Sequence, residues 1–115
     1  MIAVGNRFRG RNSLRRVYSL GKVVRGQQCS LTYLLNDRRT KYRLAVVVSK
    51  KVSKSAVKRN RIRRRIYEVV RGFGLEKQSY DIVISVFADT FLSMPHEQLQ
   101  KSIKNLFNSA GIISK

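Results

Sequence analysis

Between positions 58 and 65 the chain places Lys58, Arg59, Arg61, Arg63, Arg64 and Arg65 around Asn60 and Ile62, with Lys50, Lys51 and Lys54 just upstream. Guanidinium groups bind phosphate oxygens through paired N–H donors and keep their charge at any physiological pH, so this pattern suits phosphate recognition. Arginines this dense repel one another by roughly a few tenths of a kcal/mol per i,i+4 pair. Glu68 is the only acid nearby to relieve them, whereas a phosphate-rich partner would relieve them all. Asn60 has three readings from its type alone: a helix-start residue, an exposed spectator, or a fixed donor and acceptor.

Catalysis by the chain itself needs a nucleophile–base pair, a placed general base or metal-binding carboxylates. The six acids are scattered. His96 stands beside Glu97 at a helix start, Cys29 lies in a strand-like segment without a local His, and Asp81 and Asp89 stand apart as the remaining candidates to assist a metal. No catalytic set and no metal set forms. The single cysteine excludes an internal disulfide, and one His without a Cys partner leaves zinc almost no ligands.

The chain has 115 residues and a net charge of +19. That length suits one domain, taken as residues 1–115 with a loose basic arm over 1–11. All the excess charge lies in residues 1–65, where Asp37 is the only acid; residues 66–115 are balanced. Charge this lopsided opposes compaction and calls for a polyanionic partner. Nucleic acid comes first, an anionic membrane surface second, and a merely solubilising surface last. No run of about 18 apolar residues exists to cross a membrane. The N-terminal Arg7, Arg9 and Arg11 precede no apolar signal segment, and a cytoplasmic location is expected.

The elements that must carry these groups follow from periodicity. Asn12 or Ser13 can cap a short helix ending at Gly21, with Leu14, Val17 and Tyr18 on one side. Residues 22–35 read as one strand and 36–39 as a turn. Residues 42–49 read as a second strand, apolar enough to be central in a sheet. A helix is predicted over 56–71, a third strand over 80–87, and a last helix opened by Ser93 and Pro95 and closed by Gly111.

At about 100° per residue, Ile62, Ile66, Val69, Val70 and Phe73 fall on one face of the central helix. Asn60, Arg61, Arg64, Tyr67 and Arg71 fall on the other. The first face is expected on the sheet and the second in solvent or on a partner. Leu99, Ile103, Leu106, Phe107 and Ala110 form a core stripe on the last helix. Phe73, Phe87 and Phe107 are assigned to the core. Phe8, Tyr18, Tyr33 and Tyr42 are each more readily core or half-buried than stacked on a base.

The block VVVSKKVSKSAVKRNRIRRRIYEVVR at 46–71 holds Ser49-Lys50-Lys51 after a strand and then Arg59-Asn60-Arg61, followed by Ile62, Arg63 and Arg64. In this it resembles the protein subunit of bacterial ribonuclease P. LRRVYSLGK at 14–22, YDIVISV at 80–86 and the helix at 99–111 are similar as well, so the resemblance covers nearly the whole chain. It departs where Leu14 stands for a usual Phe, where Thr32 stands for a frequent aromatic with Tyr33 one position along, where Tyr67 replaces a common basic residue, and where Arg65 takes a usually apolar place.

The resemblance implies an α+β fold: a small two-layer α/β sandwich, its mixed sheet carrying an N-terminal helix, the basic helix in an uncommon left-handed βαβ crossover, and a C-terminal helix. It implies binding to the large catalytic RNA of ribonuclease P. It also implies that the single-stranded 5′ leader of precursor tRNA lies in a cleft between the sheet and the basic helix. The RNA would cleave the phosphodiester with Mg²⁺ that it mainly binds itself, and the protein alone would be inactive. Arg59, Asn60, Arg61, Arg63 and Arg64 would contact the catalytic RNA, Lys50, Lys51, Lys54 and Lys58 phosphates, and Tyr18, Tyr33 and Tyr67 the leader. Single-stranded RNA is gripped by aromatics beside a basic track, which agrees with these residue types. The alternative is a general RNA-binding protein such as a small ribosomal protein.

Overall fold

In the computed structural model, which describes residues 11–36, 42–75 and 79–112, the apolar periodicities resolve into three α-helices and four strands among the described residues. Their order is α1 (Arg11–Leu20), β1 (Lys22–Arg25), β2 (Cys29–Leu35), β3 (Arg43–Val48), α2 (Ala56–Arg71), β4 (Tyr80–Val86) and α3 (His96–Ala110), with one 3-10 turn at Asp89–Leu92. The expected arm through residue 10, with Phe8, and the turn residues Asp37, Arg38 and Arg39 lie outside the described residues. Arg11 already belongs to α1, so Asn12 and Ser13 stand within that helix and not before it.

The sheet order is β1-β2-β4-β3. β2 pairs antiparallel with β1 and β4, while β3 runs parallel to β4. A parallel pair needs a long crossover, and α2 supplies it. This is the mixed sheet with a βαβ crossover helix that was expected. Two strand expectations change. Residues 22–35 are not one strand: the chain reverses at Gly26, whose N–H donates to the Cys29 carbonyl at 2.8 Å. The turn shifts the phase of the alternation: Val24 before it and Cys29, Leu31 and Tyr33 after it share the core face, an even position followed by odd ones. β3 is not central but ends the sheet; α2 covers one of its faces, and that cover accounts for its apolar character.

Ser55 caps α2, its hydroxyl accepting from the Lys58 N–H at 3.3 Å, and Gly72 follows its last turn. Ile62, Ile66, Val69 and Val70 are buried, as the helical facing required. They pack on Leu44, Val46, Val48, Ile82, Ile84 and Val86, whose side chains alternate to one sheet face, and on Leu99, Ile103, Leu106 and Phe107 of α3. Each such aliphatic side chain contributes roughly 1.5–3 kcal/mol on burial. Pro95 stands at the start of α3, and Gly111 ends it with φ 78°, a left-handed conformation that suits glycine. Phe73 sits half-buried, edge-on to Phe107 with ring centroids 5.2 Å apart.

Helix α1 lies on the opposite sheet face, against β2 and β4, with Val17 and Val83 fully buried. Gly21 lets it dock: a Cβ there would stand 2.5 Å from the Val17 carbonyl oxygen and 2.8 Å from that of Tyr33. Phe87 is not core. It is 54% exposed, because it continues the Val83–Ser85 alternation onto the α1 side, which one short helix covers only in part. Phe91 of the 3-10 turn is the fully buried aromatic of that region.

Candidate nucleic-acid interface

The basic face of α2 divides by what each guanidinium meets. Arg59 donates from Nη1 to the Ser53 carbonyl at 2.9 Å, which ties the lysine-bearing loop back onto the helix. Arg63 donates from Nη1 to Asn60 Oδ1 at 2.6 Å, so Asn60 is held as an oriented side chain with its amide N–H₂ still available to donate. Arg65, the departure from the family pattern, turns inward and donates to the carbonyls of Phe91 and Met94, fastening the 3-10 turn to α2. Arg61 and Arg64 stay exposed, and among the described residues no carboxylate pairs with either. Lys50, Lys51, Lys54 and Lys58 are exposed in the loop and first helical turn. Val57, 78% exposed, lies one turn before Asn60 and Arg61 on the same row; the sequence reading did not place it, although the helical wheel sets it on the outward side beside Arg64.

The three tyrosines expected in one cleft do not meet. Tyr18 of α1 stands 49% exposed over the sheet face opposite α2, its hydroxyl 3.4 Å from Ser85 Oγ. Tyr33 alternates to the other face, packs against the core and meets Tyr80 edge-on at 6.0 Å. Tyr67 is half-buried against the same core and not on the outward face of α2, since a long ring at the margin of the apolar stripe folds down onto it. The space between sheet and α2 is likewise no cleft, because the buried side chains of both fill it. The accessible sheet face is the one beside α1. There the register aligns Arg25, Ser30, Ser85 and Val47 across all four strands. Only strand pairing reveals that row, and single-chain periodicity does not contain it.

Asp81 is 1% exposed and accepts from Arg43 Nε at 2.8 Å, from Arg43 Nη2 at 2.7 Å and from Asn36 Nδ2 at 2.9 Å. That is a structural ion pair, and it raises the Arg43 pKa chiefly through the hydrogen bonds to Asp81. Burial pushes the Cys29 thiol up to about 12, so it stays protonated and inert. No group of three His, Cys, Asp or Glu side chains that could hold a metal occurs among the described residues. Asp81, one of the two carboxylates considered for a metal, is instead occupied by Arg43 and Asn36. No helix among them is long and apolar enough to cross a membrane.

A split basic helix, an oriented asparagine and an open tyrosine-bearing sheet face on this topology invite comparison with known proteins. The family model described as Ribonuclease P matches residues 3–111. The chain belongs to the ribonuclease P protein family. The ribonuclease P protein component of Pseudanabaena sp. is 36% identical over 115 residues, covering 98% of this chain and 97% of that one. That of Clostridium acetobutylicum is 36% identical over 113 residues, covering 94% and 91%. Among solved structures, the ribonuclease P protein of Staphylococcus aureus superposes with TM-score 0.82 at 26% identity, covering 93% of this chain and 96% of that one. The Thermotoga maritima ribonuclease P protein, at 22% identity, shares the fold with TM-score 0.78, covering 90% and 96%. In this ribonuclease P fold the crossover helix thus presents Arg61 and Arg64 to solvent, and α1 presents Tyr18.

Proposed function

We propose that the chain acts as the protein component of ribonuclease P, binding a catalytic RNA and helping it remove the 5′ leader from precursor tRNA. The exposed Arg61 and Arg64, flanking a pre-oriented Asn60, carry this reading. They form a phosphate-binding face that no described carboxylate neutralises, in a family whose members bear the ribonuclease P name. Arg59 and Arg63 order that face from behind: one clamps the loop bearing Lys50, Lys51 and Lys54, and the other fixes Asn60. The leader lies on the opposite sheet face, where Tyr18 offers a ring for a base and the small Ser85 beside it leaves room for a backbone to approach. Hydrolysis belongs to the RNA and to Mg²⁺ held there. The chain supplies cationic side chains that lower repulsion between two RNAs and a platform that discriminates leader-bearing from leaderless tRNA.

Reconstitution with the catalytic RNA tests this. Replacing Arg61 and Arg64 together by Ala should lower precursor-tRNA cleavage at limiting Mg²⁺ by about tenfold or more while the thermal melt stays within ~0.5 kcal/mol of wild type, since exposed charges carry little stability. Unchanged processing by that variant would overturn the assignment, as would leader removal by the purified protein without RNA.

A further inference from the structure

The exposed aromatic at the end of β4 has no role in the fold or in the contacts above. Phe87 is 54% exposed, yet its backbone is fixed: its N–H donates to the Gln28 carbonyl at 2.7 Å, which carries the β2–β4 ladder one pair beyond Cys29 and Val86. The ring therefore follows Val83 and Ser85 onto the sheet face that bears Tyr18. It stands two residues beyond Ser85, roughly 6–7 Å along the strand, and Ser85 is the residue the Tyr18 hydroxyl reaches. Val47, 37% exposed and paired with Ser85, lies on the same face beside it. Continuing the parallel register past Val48 and Val86 brings Phe87 level with Ser49, and Lys50 and Lys51 follow directly. A rigidly mounted ring, an apolar neighbour and two lysines at one end of a serine-floored track have the makings of a seat for a nucleobase and its phosphate.

We propose that Phe87, backed by Val47, stacks on an unpaired base of the precursor-tRNA leader, one step along the track from the base at Tyr18. This deepens the reading above and rests on it. The occupant is an unpaired nucleotide because a flat ring offers every base a π face, whereas the paired bases of the tRNA body already stack within their helix. The lysines favour a strand whose phosphates run past β3 toward the loop.

The test uses the reconstituted holoenzyme and two precursor tRNAs, one with a leader of about eight nucleotides and one with a single leader nucleotide. Phe87→Ala should weaken binding of the long-leader precursor by about tenfold, the order expected for one stacked base, and leave the short-leader precursor unchanged. Phe87→Trp should restore binding; Phe87→Leu, which keeps apolar bulk without the ring, should not. An abasic residue at one leader position should abolish the difference between wild type and Phe87→Ala. If Phe87→Ala binds the long leader as wild type does while Tyr18→Ala still loses discrimination, Phe87 has no such role and the leader reading stands. If wild type binds both precursors equally, the leader reading fails and this proposal with it. Equal weakening of both precursors by Phe87→Ala would place the ring on the catalytic RNA or the tRNA body and would also overturn it.

Discussion

At the scale of single residues, six neighbouring cations on α2 share one chemistry and have different fates. Arg59, Arg63 and Arg65 spend their donors on Ser53, Asn60, Phe91 and Met94, while Arg61, Arg64 and Lys58 face outward. The helical wheel separated Arg61 and Arg64 from the apolar side because angular position is a property of the local chain. It could not show that Arg65 finds two carbonyls, because those lie in and just after a 3-10 turn, 26 and 29 residues away. The same holds for Asp81, a candidate metal carboxylate by type that strand pairing sets beside Arg43. Cys29 supports a pH prediction. Its thiol has an ordinary value near 9.0 and one near 12 when buried. Above pH 9 the unfolded chain gives up this proton and the folded chain keeps it, so stability falls as pH rises through that window. At pH 10 the loss from this group is on the order of 1 kcal/mol. Denaturant melts of wild type and Cys29→Ala between pH 8 and pH 10.5 should converge as pH rises; parallel curves would contradict the burial of the thiol.

At the scale of elements, the long helices were legible and the strand connections were not. α2 and α3 declare themselves through caps and apolar stripes, both local. The β1–β2 reversal at Gly26 carries no Asn-Gly or Asp-Gly signal, and β3 looks central because its covered face is built from the same residues a central strand would use. The side of the sheet that α1 takes is fixed by tertiary packing, which also explains why Tyr18 and Tyr33, close in type and expected together, end on opposite faces. Gly21 is the hinge of that arrangement. Gly21→Ala places a methyl against two backbone oxygens at 2.5 and 2.8 Å, and neither can retreat without moving α1 or β2. The expected cost is about 1–3 kcal/mol. The displaced α1 should also blunt discrimination between long and short leaders, while affinity for the catalytic RNA through α2 holds. A melt unchanged from wild type would show that α1 does not dock through this turn.

At the scale of the whole molecule, the charge is divided by sequence and the fold keeps it usable. The balanced C-terminal half supplies β4, α3 and much of the core, with Ser85 and Phe87 on the sheet face beside α1, while the cationic half supplies the lysine-bearing loop and the basic turns of α2. Binding should therefore follow phosphate neutralisation: affinity for RNA falls steeply with salt, and Arg61→Ala with Arg64→Ala should reduce the log–log slope by roughly 0.7–0.9 per arginine. A slope unaltered in the double variant would mean that these groups do not displace counterions.

The position of β3 at the sheet margin bears on how copies of the chain behave toward one another. Among the described residues its outer backbone row has no strand beside it, and its sequence, with Leu44, Val46, Val47 and Val48, is adhesive. Such a margin is a template for a further strand. Mutual repulsion at +19 keeps free copies apart, and anything that screens that repulsion without covering the chain removes the safeguard. A bound RNA that screened the charge and also covered the adjoining loop and helix would keep that margin from pairing with a second copy.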